Sequence, residues 1–390
     1  MSKLRVGVIG LGILGSQHTS YLHEHEATQV VAVADIRPDV AQRVAGQVGA
    51  QGYGDYQEML RQHALDLVVV ATPDPLHREP VMAALAAGVP NILEEKPFAS
   101  TWEDALDMYE AVERRGARLF VHFANRATPL DIATRYVIQQ GLLGRAVYGE
   151  ARLDDNISVP TQMWGERTRE WAGGSSTAHF LLSHVVDLLR WYFAPAEVKE
   201  VYAISQREVL WYTPDVYDAY LTFDSGLKVR VKAEWIRHMD ELVEFYLSFS
   251  GSEGTLIYNK RGGFGTEPGW RANVSGRLSA EQLIQHQEAL LARGANVAAK
   301  LHRPTPTAGS LAAGGGQLAR ALEYRGLGYG EPMALVNHCL AAIEQGTLEP
   351  EGWKGNGPLP THVDGLRQTQ ITMAIIRSAE SGRVVALDSM

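Results

Sequence analysis

The chain has 390 residues, 45% of them hydrophobic and 21% charged, with a formal net charge of −9 at pH 7. That length supports two or three domains with full-sized cores, and the negative balance argues against nucleic acid or an anionic membrane as the main partner. A single cysteine, Cys339, excludes an intrachain disulfide and fits a reducing compartment; no apolar run approaches the roughly 20 residues of a spanning helix.

The first element is a strand over Leu4–Ile9 that runs into Gly10-Leu11-Gly12-Ile13-Leu14-Gly15, a G-x-G-x-x-G turn. The strand starts at once, leaving no room for a signal segment, so a cytoplasmic location is expected. Gly10 permits the tight turn, Gly12 lets the backbone approach a pyrophosphate, and Gly15 lets the next helix close on the strand. The N–H groups of the following helix (Ser16 to His23), with its dipole, form an anion site that Ile13 and Leu14 border. A second strand, Val30–Ala34, ends in Asp35, twenty residues beyond Gly15, where this arrangement needs a carboxylate for ribose hydroxyls. Asp35 points to NAD over NADP because it repels a 2′-phosphate; Arg37 nearby softens that preference and keeps NADP possible.

Arg37-Pro38-Asp39 opens a helix with Val40, Val44 and Val48 on one face, and Asp55 with Glu58 reads as a capping box. Leu67–Ala71 is a continuous apolar run, as in a strand buried on both faces of a parallel sheet. Thr72-Pro73-Asp74-Pro75-Leu76-His77 follows it at the carboxyl edge, where open α/β sheets bind ligands. A helix over Glu79–Ala87 stops at Gly88, the strand Asn91–Glu94 leads into Glu95-Lys96-Pro97, and Ser100 with Glu103 opens a helix closed by Gly116. Leu119–Val121 reads as a further strand. Residues 1–123 thus form a doubly wound α/β domain.

Beyond Phe123 the pattern becomes α+β. Helices are expected at Pro129–Gln140 and Phe180–Tyr192, and strands at 146–153, 198–204, 216–223, 227–235, 243–249 and 255–258, in a large, mostly antiparallel open sheet. Residues 260–330, rich in Gly, Ala and Pro around Ala312-Ala313-Gly314, read as an insertion with a helical part at 279–293. A closing helix spans 365–381. Residues 124–390 are expected to form one substrate-binding and oligomerisation domain.

Lys96 is the candidate acid/base. It follows a strand at the same edge as the glycine loop, and partial desolvation beside a nicotinamide suits a lysine to proton exchange with a hydroxyl or carbonyl. No zinc-type spacing occurs, so no metal is expected: His179 and His184 are five apart.

Four motifs occur in order: Gly10-x-Gly12-x-x-Gly15-x-x-His18, Ala71-Thr72-Pro73-x-x-x-His77, Glu95-Lys96-Pro97, and His184-x-x-Asp187-Leu188-Leu189-Arg190-Trp191. Together they resemble the glucose–fructose oxidoreductase / inositol dehydrogenase / MocA (Gfo/Idh/MocA) family over nearly the whole chain, weakening at about 260–355. The resemblance implies NAD(P)-dependent hydride transfer at a carbon of a sugar, sugar derivative or cyclitol, and a homodimer or homotetramer. It also implies roles for Lys96 and His184 in catalysis, for Thr72, Pro73, His77, Glu95 and Lys96 itself beside the cofactor, and a Lys96–Pro97 bond that is commonly cis. The family's acidic residue three positions after the histidine carries over to Asp187, a candidate for the substrate one helical turn from His184 on the same face. Where many members carry Asp, four residues before the histidine, this chain has Phe180. Either the proton relay is incomplete, or His179, Asp154, Asp155 or Asn156 supplies the group. Trp164 and Arg126 are further candidates for the substrate. The alternative reading is a non-catalytic NAD-bound sugar-sensing or regulatory protein. A cofactor-retaining cycle of oxidation, elimination and reduction ranks below both.

Overall fold

A computed structural model describes residues 3–302, 319–328 and 330–390. The chain divides into two compact units. The first comprises 1–124, 170–184 and 332–373; the second comprises 125–169, 185–331 and 374–390.

The first unit is built on a six-stranded parallel sheet in the order β3-β2-β1-β4-β5-β6. Its strands are β1 (Leu4–Ile9), β2 (Thr28–Ala34), β3 (Gln51–Tyr53), β4 (Leu67–Val70), β5 (Asn91–Glu94) and β6 (Arg118–Val121). Strand order reverses between β1 and β4, so the carboxyl ends there open the crevice in which doubly wound sheets hold nucleotides. Five helices make the crossovers: α1 (Ile13–Glu24), α2 (Pro38–Val48), α3 (Tyr56–Gln62), α4 (Arg78–Ala86) and α5 (Trp102–Arg115). Val68, Val70, Ile92, Leu119 and Val121 are buried in one core with Val81, Leu85, Met108 and Val112 of α4 and α5. Asp55 caps α3 by accepting from the Gln57 N–H. α5 is capped by Thr101 accepting from the Asp104 N–H, not by Ser100, one residue earlier, as the sequence suggests. Gly116 closes α5 in the left-handed conformation (φ 61°).

The second unit begins with α6 (Pro129–Gln139) and is organised on a ten-stranded sheet. In chain order its strands are β7 (Ala146–Asn156), β8 (Val198–Gln206), β9 (Val216–Phe223), β10 (Lys228–Arg237), β11 (Val243–Gly251), β12 (Thr255–Arg261), β13 (Gly269–Val274), β14 (Ala298–His302), β15 (Ala319–Arg325) and β16 (Val385–Ala386). β7 and β10 pair in parallel and the other neighbours antiparallel. Side chains alternate buried and partly exposed, as along Lys228–Arg237, so one face is covered and the other more open. Trp235, Phe223, Phe249, Tyr192 and Tyr258 are fully buried.

Two stretches differ from the sequence reading. Within 260–330, strands β13, β14 and β15 extend the main sheet, with a helix over Ala280–Leu291 carrying a Ser279 capping box; Ala312–Gly316 lie outside the described residues. The segments 170–184 and 332–373, expected in the second domain, cluster with the first unit. The Ser175 hydroxyl donates to Asp74 at 2.6 Å, and Thr361 bridges to Phe120 of β6. No described helix is long and apolar enough to cross a membrane.

Candidate active site

The glycine loop has the shape of a nucleotide cradle. Gly10 has φ +86°, and a Cβ there would lie 2.6 Å from the Ala71 carbonyl oxygen. A Cβ on Gly15 would lie 1.8 Å from the Gly10 oxygen, whereas one on Gly12 would meet nothing within 4 Å. The backbone is therefore tight at both ends of the loop and open at its middle. Gly12 caps α1 without a side chain, leaving first-turn N–H groups available to an anion. Ile13 and Leu14 beside it are among the exposed large hydrophobics.

Asp35 is fixed at the end of β2. Its Oδ2 accepts from the Leu11 N–H at 2.9 Å, and its Oδ1 accepts from the Arg37 N–H and Nε, both at 2.9 Å. Burial alone would raise its pKa; the guanidinium and the backbone N–H groups outweigh that and hold the carboxyl below its ordinary value. The carboxylate is thus aimed at the glycine loop, with Arg37 beside it. These residues fit a dinucleotide.

At the ends of β4 and β5 the side chains interlock. The Thr72 hydroxyl donates to the Leu76 oxygen at 2.9 Å. His77 is 1% exposed, its Nε2 lying 2.9 Å from the Thr72 oxygen and its Nδ1 2.7 Å from that of Pro97. The Lys96–Pro97 bond is cis. Glu95 Oε1 receives His18 Nε2 of α1 at 2.7 Å and His122 Nδ1, just past β6, at 2.9 Å. Burial opposes ionisation of Glu95, yet the two imidazoles hold its carboxyl well below the usual range.

Lys96, 7% exposed, is the polar head of this edge. Its Nζ donates to the Phe180 oxygen at 3.2 Å and sits 3.8 Å from the centroid of the Phe180 ring. Trp171 meets that ring edge-on at 4.9 Å, completing an aromatic wall beside Lys96. Phe180 lies in a π-helical turn, Ala178–Leu182, that leads into the helix Ser183–Phe193, whose second residue is the half-buried His184. His179 faces elsewhere. Its Nε2 donates to the Ser100 oxygen at 3.0 Å and its Nδ1 pairs with the Ser176 hydroxyl at 2.9 Å.

The other candidates lie in the second unit. Arg126 and Asp187 hold each other in a bidentate pair (Nε–Oδ2 2.9 Å, Nη2–Oδ1 2.5 Å), 2% and 1% exposed, so both heads are committed to one another. Asn156 donates to the Met239 oxygen at 2.5 Å and accepts from the Ser158 N–H. Asp154 is paired with Lys232 and Arg237, Asp155 accepts from Trp235 Nε1 at 3.3 Å, and Trp164 is half-buried.

Sequence spacing gave no metal expectation, but folding brings one nitrogen each from His18 and His122 and one Glu95 oxygen within 4.8 Å of one another. The two N···O separations are hydrogen-bond distances, describing a carboxylate clamped between two donors. His122 and Glu94 carried no local signal, because each acquires its partner only across the sheet.

Residues 4–123 match the profile described as "Oxidoreductase family, NAD-binding Rossmann fold", and residues 132–257 match the GFO/IDH/MocA C-terminal domain. The chain belongs to the Gfo/Idh/MocA oxidoreductase family. It is 32% identical over 222 residues to inositol 2-dehydrogenase of Acidothermus cellulolyticus, covering 56% of this chain and 62% of that protein. It is 29% identical over 201 residues to levoglucosan dehydrogenase of Pseudarthrobacter phenanthrenivorans, covering 49% and 51%. The chain thus spans less than two thirds of the length of these curated relatives. Among solved structures, levoglucosan dehydrogenase in complex with NADH and levoglucosan superposes with a TM-score of 0.74 at 20% identity, covering 99% of this chain and all of the other. An Agrobacterium radiobacter oxidoreductase in complex with NAD+, L-tartaric acid and magnesium gives 0.72 at 18% identity, covering 100% of both. At these identities the structural matches establish the fold.

Proposed function

We propose that the chain is an NAD-dependent dehydrogenase or reductase acting on a CH–OH carbon of a sugar, sugar derivative or cyclitol, with Lys96 as its acid/base. The observation that carries this is Lys96 Nζ, held against Phe180 at the sheet edge that also bears the glycine cradle and Asp35. NAD, when bound, supplies the hydride acceptor, or in its reduced form the donor. Lys96 takes the hydroxyl proton onto Nζ in oxidation and returns it in reduction. Glu95, clamped by His18 and His122, fixes the backbone from which Lys96 projects.

His184 assists by binding substrate hydroxyls. His179, with both ring nitrogens engaged, and the Arg126–Asp187 pair act as supports rather than as substrate ligands. Asp35 favours NAD, and its pairing with Arg37 leaves NADP as the weaker cofactor. Assembly as a homodimer or homotetramer uses the open face of the large sheet, where Tyr148, Tyr202, Ile204, Tyr220 and Ile257 are exposed.

The test is nicotinamide absorbance with NAD and NADP against inositols, aldoses, anhydro sugars and keto or amino sugars, with Lys96→Met alongside. Turnover of one class that Lys96→Met loses supports the reading. Tight NADH binding without turnover of any class favours instead a sugar-sensing protein, a reading that Phe180 in the carboxylate position supports.

A further inference from the structure

Glu94 closes β5 opposite Val70 of β4 and Val121 of β6, with no exposure to solvent. Neither of its carboxyl oxygens has a hydrogen-bond partner among the described residues. A buried carboxyl without hydrogen bonds is expensive, and the neighbours Ile92 and Leu93 show what the position would otherwise hold. His77 Nδ1 lies 3.6 Å from its Oε1, within ion-pair range.

His77 supplies the reason. Both of its ring nitrogens face carbonyl oxygens, at 2.7 and 2.9 Å. A carbonyl oxygen only accepts, so each nitrogen must carry a proton, and only the imidazolium has two. A neutral ring would set a lone pair against one of those oxygens. A cation this deeply buried needs a counter-charge within the protein.

Other charged groups nearby are committed. Glu95 is held by its two imidazoles, Asp74 accepts from Ser175, and Lys96 is turned to Phe180. Arg78, next in sequence to His77, is turned to Glu79, Asp104 and Asp107. Burial, reinforced by Glu95, works to keep a proton on Glu94. Giving Glu94 that proton at the expense of His77 would break one of the two carbonyl bonds.

We infer that Glu94 is a positioning residue: its carboxylate keeps the His77 ring doubly protonated, and the ring bolts the Thr72–Pro73 loop to the Lys96–Pro97 turn. The ion pair stands without the dehydrogenase reading; only the consequence for cofactor and Lys96 rests on it.

The experiment is 15N NMR of the full chain labelled at histidine, with the His77 signals assigned by their loss in His77→Gln. In the native protein both His77 nitrogens are expected to be protonated at neutral pH. In Glu94→Gln one His77 nitrogen is expected to be found without its proton, and NADH binding, followed by fluorescence, to weaken about tenfold relative to the native protein. A neutral His77 ring in the native protein overturns the inference, and that result needs no variant to fold. A His77 ring that stays doubly protonated in a folded Glu94→Gln protein overturns it as well. Absence of sugar turnover touches neither readout and counts only against the proposed activity.

Discussion

Lys96 and Phe180 are joined twice: the ammonium donates to the Phe180 carbonyl at 3.2 Å and lies 3.8 Å from the centre of its ring. The backbone contact survives any change at position 180, whereas the ring contact does not. Phe180→Ala is therefore expected to remove a cation–π contribution of about 0.5–2 kcal/mol and loosen Lys96 without displacing it. Lys96→Met removes the proton carrier itself, a loss of roughly 10²–10⁴-fold in kcat with NADH affinity nearly unchanged. Steady-state kinetics beside NADH titration check both; equal losses from the two variants would sink the assigned division of labour.

The glycine loop gives a second contrast. A methyl on Gly15 would collide with the Gly10 oxygen at 1.8 Å, but a methyl on Gly12 meets no protein atom within 4 Å. Gly15→Ala is expected to lower the melting temperature of the free protein. Gly12→Ala should melt like the native chain and lose NADH binding, because the methyl fills space reserved for the dinucleotide. Differential scanning fluorimetry with and without NADH separates the two.

Much of the first unit is legible from local rules. The apolar run at β4 and the strand–glycine turn–helix at β1 declare themselves because a parallel strand is buried on both faces and a close turn needs glycine. β3, three residues long, is too short to show periodicity. Thr101 rather than Ser100 caps α5 because the two hydroxyls are adjacent and only the chain path chooses between them. The site is legible as a set of motifs but not as a network. His18, Glu95 and His122 meet from three separate elements, and no sequence spacing encodes that meeting. The commitment of Arg126 to Asp187, 61 positions apart, is invisible in the same way.

That pair yields a stability prediction. Arg126 and Asp187 are buried with two short hydrogen bonds, so removing either head strands a charge in the interior. Arg126→Met and Asp187→Leu are each expected to destabilise by about 3–5 kcal/mol, and the double variant to recover most of that loss. Urea denaturation of the four proteins forms the cycle. Additive losses in the double variant would show that the pair is not coupled.

The last prediction concerns acid. Burial lowers the pKa of His18 and of His179 below the ordinary 6.5, so both rings hold a proton less readily in the folded chain than in the unfolded one. Unfolding exposes them and lets them take up protons below about pH 6.5. The unfolded state then binds more protons than the folded one, and stability falls as pH drops from 6.5 towards each folded-state value; above 6.5 the contribution is complete. Glu95 behaves in a lower window. Its depressed pKa stabilises the fold above the ordinary 4.5, and that contribution disappears as pH falls through the folded-state value. The first acid loss should therefore belong to the histidines, at up to about 1.4 kcal/mol per pH unit for each ring. Thermal melts at stepped pH values check this. His179→Gln should flatten the upper limb while leaving the lower one, and an unchanged upper limb would show that His179 does not titrate on unfolding.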